Sequence, residues 1–408
     1  MPSYKAPVED FLFLFHELLA IEKRTDLPGF ADLTPDMTAA ILEGGAKFCE
    51  EVLQPLNQIG DEEGCYLENG VVRTPKGFKE AFRAYADGGW NKLGVAEELG
   101  GANLPSVITF AFSEMGSSSN QAFAMYPGLD NIIHMVIAKL PNDEGKFVDD
   151  LGTVNFFMVP KMLVDEKTGK ITGPNGVSVG AVEKKMGIKG NATCVMNFDN
   201  AVAYHLKGRA PEKKSEDGKV VKSKSAGMAG MFGMMNGARM GVGIQGIAAG
   251  EVAYQNGVAY ANDRLAGRSL TGAKNPDGPA DPIMVFPDVR RLLISSRAFV
   301  EGARALAMYV SFLFSVARSS KDEAERQEAE DLSQLFTPVI KAYFTDKGFE
   351  AANASMQVFG GHGYIRDNGM EQFVRDARIN QVYEGANGIQ ALDLVARKMT
   401  SKGGRATL

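Results

Sequence analysis

PDVRRLLISSRAFVEGARALAMYVSFLFSVARS, residues 287–319, carries apolar side chains at steps of three and four along almost its whole length. This spacing is typical of an amphipathic α-helix and predicts one long helix over the stretch. A lone helix cannot bury so long a stripe, so partner helices of similar length are needed. Residues 230–261 and 331–359 also have the helical period, and they can form these partner helices. The sequence therefore predicts a bundle of long helices.

Upstream of this bundle the apolar pattern changes its period. The N-terminal part contains helical patterns separated by Gly and Pro, for example over residues 35–59 and 74–87. The middle part contains short apolar or β-branched runs bounded by Gly, Asn, Asp and Pro, which is typical of strands. We expect strands over residues 131–140, 153–163 and 191–204.

These patterns predict an α+β protein of three domains. Residues 207–225 are rich in Lys, Arg, Gly, Pro and Ser, which favours a solvated basic loop over a binding arm. The predicted domains are an N-terminal helical domain (1–129), a middle β domain that ends in the basic loop (130–225), and a C-terminal long-helix bundle (226–408).

Composition narrows the classes of function. The chain has 408 residues, 45% apolar and 23% charged residues, and a net charge of −6. This is typical of a soluble globular protein with no general attraction to nucleic acid or to an anionic membrane. Cys49, Cys65 and Cys194 lie far apart, which favours a reducing cytoplasm without disulfides. The four histidines are scattered, so no metal site is expected.

Two stretches stand out as candidates for chemistry. The first is the Gly-rich QVFGGHGYI at residues 357–365. The second is YEGANG at residues 383–388, where Glu384 lies in a stretch rich in helix-breaking residues before an apolar helix over residues 388–399. On spacing alone, Glu384 is either a capping or solvated glutamate or a general base.

The stretch MQVFGGHGYIRDNGMEQFVRDARINQVYEGANGIQ, residues 356–390, resembles the C-terminal signature of the acyl-CoA dehydrogenases. In that family a Gln-x-x-Gly-Gly turn precedes an Arg-Asp-x-Arg-Ile stretch and then Tyr-Glu-Gly. Stretches such as YKAPVEDFLFLFHELL and DPIMVFPDVRR are similar to one subgroup, the 3-methylmercaptopropionyl-CoA dehydrogenases of dimethylsulfoniopropionate breakdown. The resemblance extends from Tyr4 to about Ala406.

The resemblance implies an FAD-dependent α,β-dehydrogenation of an acyl-CoA thioester. In the subgroup this reaction converts 3-(methylthio)propanoyl-CoA to 3-(methylthio)acryloyl-CoA, and electron-transfer flavoprotein receives the electrons. It implies that Glu384 is the catalytic base, which takes the α-proton while a hydride leaves the β-carbon for the flavin. It also implies that the Glu384 N–H polarises the thioester carbonyl and that Gly385 lets the backbone approach the substrate.

Further site residues follow from the resemblance in the same way. Some family positions are changed here, since Ala386 replaces a commoner threonine and no aromatic residue closely follows Arg264. For Arg239, a structural arginine on a helix surface is the alternative. The implied roles are coenzyme A binding by Asn236 and Arg239, contact of Arg264 with the flavin pyrophosphate of a neighbouring subunit, binding of the FAD adenosine half by Gln357, Gly360 and Gly361, and further FAD contacts from Asn387 and Gln390.

Because Arg264 is implied to contact the flavin of a neighbouring subunit, the resemblance also implies a homodimer or homotetramer. One departure from the family concerns the middle domain, because relatives carry a long segment between the equivalents of Leu129 and Asp130. The subgroup also continues beyond the equivalent of Leu408. We therefore expect that the protein either contains extra residues at the junction or binds FAD poorly. The alternatives are a catalytically weak, flavin-poor structural or heteromeric paralogue and an acyl-CoA oxidase.

Overall fold

The computed structural model describes residues 2–128, 133–141, 144–147, 154–165, 167–206, 213–214, 220–221 and 226–407. The N-terminal part is helical, as predicted, and also contains a short hairpin that the pattern did not indicate. The predicted helix over residues 35–59 is divided, because Cys49–Leu53 forms a π-helical turn before Pro55. The elements are α1 (Val8–Leu12), α2 (Pro35–Phe48), α3 (Leu56–Glu63), β1 (Tyr66–Glu68), β2 (Val71–Arg73), α4 (Phe78–Asp87) and α5 (Ser106–Ala124).

The middle part is built from short antiparallel strands. These are β3 (Ile133–Lys139), β4 (Val154–Pro160), β5 (Met162–Val164), β6 (Ile171–Pro174), β7 (Val177–Val182), β8 (Cys194–Phe198) and β9 (Tyr204–His205). β4 lies between β3 and β9, while β5 pairs with β6 and β7 pairs with β8. The predicted strand over residues 153–163 is broken at Lys161, and the one over 191–204 is shortened to β8 and β9. The junction between Leu129 and Asp130 lies outside the described residues.

The predicted basic loop is described only in part. Two short strands, β10 (Lys213–Lys214) and β11 (Val220–Val221), pair there in antiparallel fashion. The other residues of the stretch 207–225 lie outside the described part of the chain. The loop therefore contains at least one strand pair that the composition did not indicate.

The C-terminal part is the predicted bundle. Its helices are α6 (Ala226–Asp263), α7 (Pro287–Ser319), α8 (Glu323–Val358), α9 (Gly361–Tyr364), α10 (Met370–Arg378) and α11 (Asn387–Asp393). α6, α7 and α8 pack against one another and bury the apolar stripe of α7. By length and composition α7 could cross a membrane, but 56% of its most apolar window is buried inside the protein, as in the core helix of a soluble protein.

α6 and α8 cross at backbone contact distance. A Cβ on Gly348 would lie 2.0 Å from the carbonyl oxygen of Gly246, and a Cβ on Gly246 would lie 2.4 Å from that of Phe344. No side chain fits at either position, so the two glycines permit this close crossing. The crossing fixes the position of α8 against α6. It thereby also fixes Gln245 of α6 and Asp346 of α8, which contact the turn at residues 383–387.

A buried arginine joins the N-terminal helices to the bundle. Arg304 of α7 is 1% exposed, and its guanidinium lies 2.9 Å from Asp10, 2.7 Å from Glu114 and 2.6 Å from Glu251. These carboxylates come from α1, α5 and α6. Burial raises the pKa of Glu114 to about 7, although Arg304 opposes the shift. One cation therefore holds four helices together.

Removing this cation should destabilise the protein strongly. Arg304→Met leaves three carboxylates without their partner, and we expect a loss of about 3–5 kcal/mol in the free energy of unfolding. Glu114 contributes stability that is present at low pH and is lost as the pH rises through about 7. The loss caused by Arg304→Met should therefore be larger at pH 8 than at pH 6, as measured by thermal and chemical unfolding.

The matched control lies on the same helix. Arg297 pairs with Glu301 on the surface and is 62% exposed. Arg297→Met should change the free energy of unfolding by less than about 0.5 kcal/mol. Equal effects of the two substitutions would contradict the structural role of the Arg304 cluster.

Candidate active site

The turn before α11 presents Glu384 in an unusual backbone conformation. Glu384 has a φ of 54°, which is costly for a residue with a side chain, and Gly385 follows with a φ of 89°. The Glu384 carboxylate is half-buried. Within the described part of the chain, neither this carboxylate nor the Glu384 N–H has a hydrogen-bond or ion-pair partner. The turn therefore offers a carboxylate and an N–H group from one residue, both free to bind a ligand.

Side chains on both sides of Glu384 hold the turn in this shape. Gln390 is buried, and its Nε2 donates a hydrogen bond to the Gly385 carbonyl oxygen at 3.0 Å. A Cβ on Gly385 would lie 2.5 Å from the same Nε2, so only glycine fits. The Tyr383 hydroxyl donates to Gln245 of α6, and Asn387 donates to Asp346 of α8 at 2.7 Å. The turn is therefore fixed to two bundle helices.

Asn387 and Gln390, which the resemblance implies as FAD contacts, use their side chains inside the protein. Asn387 bonds to α8, and Gln390 bonds to the turn. The Oε1 atom of Gln390 is buried and has no hydrogen-bond partner among the described residues. A cofactor contact from either residue stays a prediction. What the structure adds is their role in supporting Glu384.

A basic cavity of about 260 Å³ lies beside α11. It contains both residues predicted to bind coenzyme A, and its lining is Asn236, Arg239, Gln334, Asp393, Arg397, Lys398 and Ser401. Arg239 is buried and pairs with Asp393 at 2.8 Å, so it is not a surface arginine. The cavity has three cations and one carboxylate, a balance that suits phosphate groups. The sequence analysis missed Arg397 and Lys398, although their adjacent basic side chains were a visible signal.

A second cavity, of about 330 Å³, contains three of the predicted cofactor residues. Arg264, Gly360 and Gly361 line it together with Tyr260, Phe359 and His362, and Ile283 and Val358 complete the lining. Gly360 has a φ of 57°, and no atom lies within 4 Å of a Cβ built on either glycine. The rings of Tyr260 and Phe359 stack at 4.0 Å, and the Tyr260 hydroxyl lies 2.9 Å from Nδ1 of His362. Gln357 lies exposed just before this turn.

This second cavity fits the adenosine half of FAD. It combines an open glycine turn with aromatic rings for a base and an exposed arginine for a pyrophosphate. Sequence reasoning missed Tyr260, because only the packing of α6 against the end of α8 brings it to the glycine turn. His362 was also missed, although it directly follows Gly361 in the sequence. The chemistry of these described residues therefore suits the adenosine end of the cofactor.

The two cavities lie far apart along α6, the first beside its first half and the second at its C-terminal end. Arg239 and Arg264 are separated by 25 positions, which corresponds to roughly 37 Å at the rise of an α-helix. The structure therefore brings Glu384 and Gly385 into the same region as Arg239, and it separates them from Arg264, Gly360 and Gly361. One chain does not gather all the predicted residues around a single reacting centre.

Arg375 and Asp376 are adjacent in the sequence but do not pair with each other. Arg375 instead pairs with Asp61 of α3 at 2.6 Å and with Glu371 of its own helix. Asp376 is buried, accepts a hydrogen bond from the Ile188 N–H, and has its pKa raised to about 6 by burial. Neighbouring residues on a helix point in different directions, so each finds its own partner. No group of His, Cys, Asp or Glu that could hold a metal ion occurs among the described residues.

Comparison with known proteins identifies the family. Residues 225–400 match the family described as "Acyl-CoA dehydrogenase, C-terminal domain". The chain is 31% identical to the 3-methylmercaptopropionyl-CoA dehydrogenase of Ruegeria pomeroyi over an alignment that covers 99% of the chain and 77% of the relative. The chain belongs to the acyl-CoA dehydrogenase family, which consists of oxidoreductases that act on CH–CH groups and use FAD.

Solved structures agree with this fold. Caenorhabditis elegans ACDH-11 in complex with C11-CoA superposes with a TM-score of 0.75 at 14% identity, over 98% of this chain and 74% of the other. The acyl-CoA dehydrogenase from Bacillus anthracis complexed with FAD superposes with a TM-score of 0.64 at 16% identity, over 90% of this chain and 69% of the other. The predicted family and fold class are confirmed.

The alignment with the Ruegeria relative is longer than this chain. It runs over 479 positions, which is 71 more than the 408 residues of this chain. At least that many positions of the relative therefore have no counterpart here. That they form one segment between the equivalents of Leu129 and Asp130 stays a prediction.

Gly385 gives a direct test of the turn. Gly385→Ala places a Cβ against Gln390 at a φ that favours glycine, so the turn must shift and move the Glu384 carboxylate. We expect acyl-CoA dehydrogenation to fall at least about tenfold, because small displacements of a reacting group have large effects. The melting temperature should change little.

Gly388→Ala is the matched control. Gly388 lies three residues further on, and no atom is within 4 Å of a Cβ built there. This control should keep wild-type turnover. Equal turnover in the two variants would show that the shape of the turn does not matter for the reaction.

Proposed function

We propose that the protein catalyses the α,β-dehydrogenation of an acyl-CoA thioester with Glu384 as the base that removes the α-proton. One observation carries the assignment of the base. The Glu384 carboxylate is half-buried and unpaired within the described part of the chain, in a strained turn that Gly385 and Gln390 maintain. Strained backbone of this kind is found most often at functional sites.

The chemistry explains why these groups belong together. The α-carbon of a thioester is a much weaker acid than a carboxylic acid, so the base must be held close to it and away from water. The free N–H of Glu384 can donate to the thioester carbonyl oxygen and stabilise the negative charge that develops there. Arg239, Arg397 and Lys398 offer cations for the coenzyme A phosphates.

FAD, when bound, supplies the acceptor for the hydride that leaves the β-carbon. Arg264, Gln357, Gly360 and Gly361, together with the stacked rings of Tyr260 and Phe359, would hold its adenosine end. We propose electron-transfer flavoprotein as the partner that receives the electrons. An acyl-CoA oxidase differs in returning them to oxygen, so rapid hydrogen peroxide formation without an added acceptor would favour the oxidase.

For the acyl group we propose 3-(methylthio)propanoyl-CoA, which would become 3-(methylthio)acryloyl-CoA. The support is the similarity to the Ruegeria relative, which spans nearly the whole chain. A dye-reduction assay with this thioester, butyryl-CoA, octanoyl-CoA and isovaleryl-CoA tests the choice. The highest kcat/KM should belong to 3-(methylthio)propanoyl-CoA, and a clear preference for any other thioester would refute this substrate.

A second candidate is a catalytically weak, flavin-poor subunit. The Ruegeria relative has at least 71 positions without a counterpart in this chain. We expect these positions to include the segment that relatives use at the flavin, and its absence favours the flavin-poor subunit. Flavin absorbance of the purified protein, expressed per chain, separates the two candidates. Full occupancy with turnover supports the enzyme, whereas low occupancy without turnover supports the subunit. Intact mass shows whether extra residues are present.

Replacement of the base should abolish turnover and preserve the fold. Glu384→Gln keeps the size of the side chain and removes its ability to accept the proton, so kcat should fall by about 10²–10⁴-fold or more. Flavin content and melting temperature should match the wild type. Glu328→Gln, on the exposed surface of α8, is the control. Substantial activity in Glu384→Gln would require another base.

We also propose that the protein is a homodimer or homotetramer. The cavity at Arg264, Gly360 and Gly361 lies roughly 37 Å along α6 from Arg239, so it is suited to a neighbour's cofactor. Large apolar side chains such as Ile294, Tyr343, Leu392 and Val395 are more than half exposed and could be covered by another subunit. Light scattering should give at least a dimer, and Arg264→Ala should lower flavin content. A flavin-loaded monomer at micromolar concentration would contradict this proposal.

A further inference from the structure

A fully buried lysine lies behind the Glu384 turn. Lys341, midway along α8, has no exposed side-chain surface. Its ammonium group donates a hydrogen bond to Oδ1 of Asn387 at 2.9 Å. No carboxylate in the described part of the chain forms an ion pair with it. A buried charge without an ion-pair partner is costly, so its presence at this position calls for a reason.

Lys341 belongs to a hydrogen-bond network that brackets Glu384. Asn387, three residues after Glu384, accepts from Lys341 and donates to Oδ1 of Asp346 at 2.7 Å. Gln381, three residues before Glu384, donates to the same Asp346 oxygen at 2.8 Å. Both sides of the turn are therefore attached to adjacent turns of α8. The ammonium group is the one cation in this network.

The charged groups around Lys341 come from three elements. Asp346 lies on the same helix, Glu384 on the turn and Arg239 on α6. Burial is the largest influence and, together with Arg239, lowers the pKa of Lys341 to about 8, while Asp346 and Glu384 oppose the shift. The ammonium form is therefore retained at neutral pH in an environment with little solvent.

We propose that Lys341 is a positioning residue for Glu384. Its hydrogen bond to Asn387 holds the Glu384 turn against α8, and its positive charge stabilises the ionised Glu384 carboxylate from the side of α8. This inference rests on the proposed role of Glu384 as the base. It adds a residue that does not touch the substrate and acts through the turn and the electric field.

The energetics of Lys341 distinguish this role from a purely structural one. Because its pKa is lowered from 10.5 to about 8, the unfolded chain binds more protons than the folded protein between these values. The stability contributed by this group therefore rises with pH over that window and is least below about pH 8. Replacement by an apolar side chain of similar length should not lower the melting temperature at pH 7.

The experiment compares Lys341→Met with Lys347→Met in the flavin-loaded protein. Lys347 lies on the same helix, is partly exposed, and pairs with Glu350. For Lys341→Met we expect a kcat at least about tenfold lower with a KM within about twofold of wild type. The acidic limb of the kcat/KM profile, which reports protonation of the base, should move to higher pH. Lys347→Met should match the wild type throughout.

A readout that does not need activity is hydrogen exchange of the backbone over residues 379–390. Exchange should be faster in Lys341→Met and unchanged in Lys347→Met, because only the first substitution removes one of the hydrogen bonds that anchor Asn387 to α8. Lys341→Gln keeps a donor towards Asn387 but lacks the charge. It should retain slow exchange and still show the shifted pH profile. This variant also serves if Lys341→Met does not fold.

The outcomes separate the two proposals. If Glu384→Gln is inactive while Lys341→Met and Lys341→Gln keep the wild-type kcat, pH profile and exchange, Glu384 remains the base and the role of Lys341 is refuted. A loss of activity that only follows a lower melting temperature in both variants also refutes it. Retained activity in Glu384→Gln refutes the base itself, and exchange over residues 379–390 then tests the anchoring alone.

Discussion

The buried guanidinium of Arg304 is the interaction on which the arrangement of the domains depends. It contacts Asp10, Glu114 and Glu251, so a single side chain on α7 binds α1, α5 and α6. These contacts join segments that are far apart in the sequence. Three carboxylates around one buried cation are stable only when all four groups are in place, because each uncompensated charge is costly away from water. The N-terminal helices can therefore pack on the bundle only in the arrangement that brings these carboxylates to Arg304.

The bundle that this interaction completes also places the candidate active site. α6 and α8 cross at Gly246 and Gly348 with their backbones in contact. This crossing brings Gln245 of α6 to Tyr383 and brings Asp346 of α8 to Asn387. The turn between Tyr383 and Asn387 is thus attached to two helices whose distance is fixed. A carboxylate on such a turn can be held in a strained conformation that a free loop would relax.

The distribution of charge along α6 divides the site into two regions. Near the start of the helix, Arg239 and the cations around it form a surface suited to phosphate groups. At its end, Arg264 and the stacked rings of Tyr260 and Phe359 border an open glycine turn. Because Arg239 and Arg264 are roughly 37 Å apart along the helix, these regions lie too far apart to act at one reacting centre within one chain. The arrangement is most easily understood if the second region acts on another copy of the chain.

The sequence determined the order of helical, strand and helical segments, and it predicts Glu384 as the candidate base. The apolar period of α7 requires a bundle whatever its partners are, because its stripe must be buried. The motif around Glu384 consists of residues that are close in the sequence, so it can be recognised without knowledge of the tertiary structure. The strands were harder to place, since short β runs depend on pairing. At Lys161 the chain passes from β4, which pairs with β3 and β9, to β5, which pairs with β6, and such a change of partner is not visible in the local apolar pattern.

Only the tertiary structure decided which side chains meet. Arg375 pairs with Asp61, 314 positions away, and not with the adjacent Asp376. Asn387 and Gln390 support the turn from inside, and Lys341 lies behind Glu384, although the sequence shows Lys341 as only one of many polar positions along α8. Hydrogen bonds and ion pairs between distant segments are set by how whole helices pack. The period of a sequence shows which face of a helix is buried, but it does not show what that face will touch.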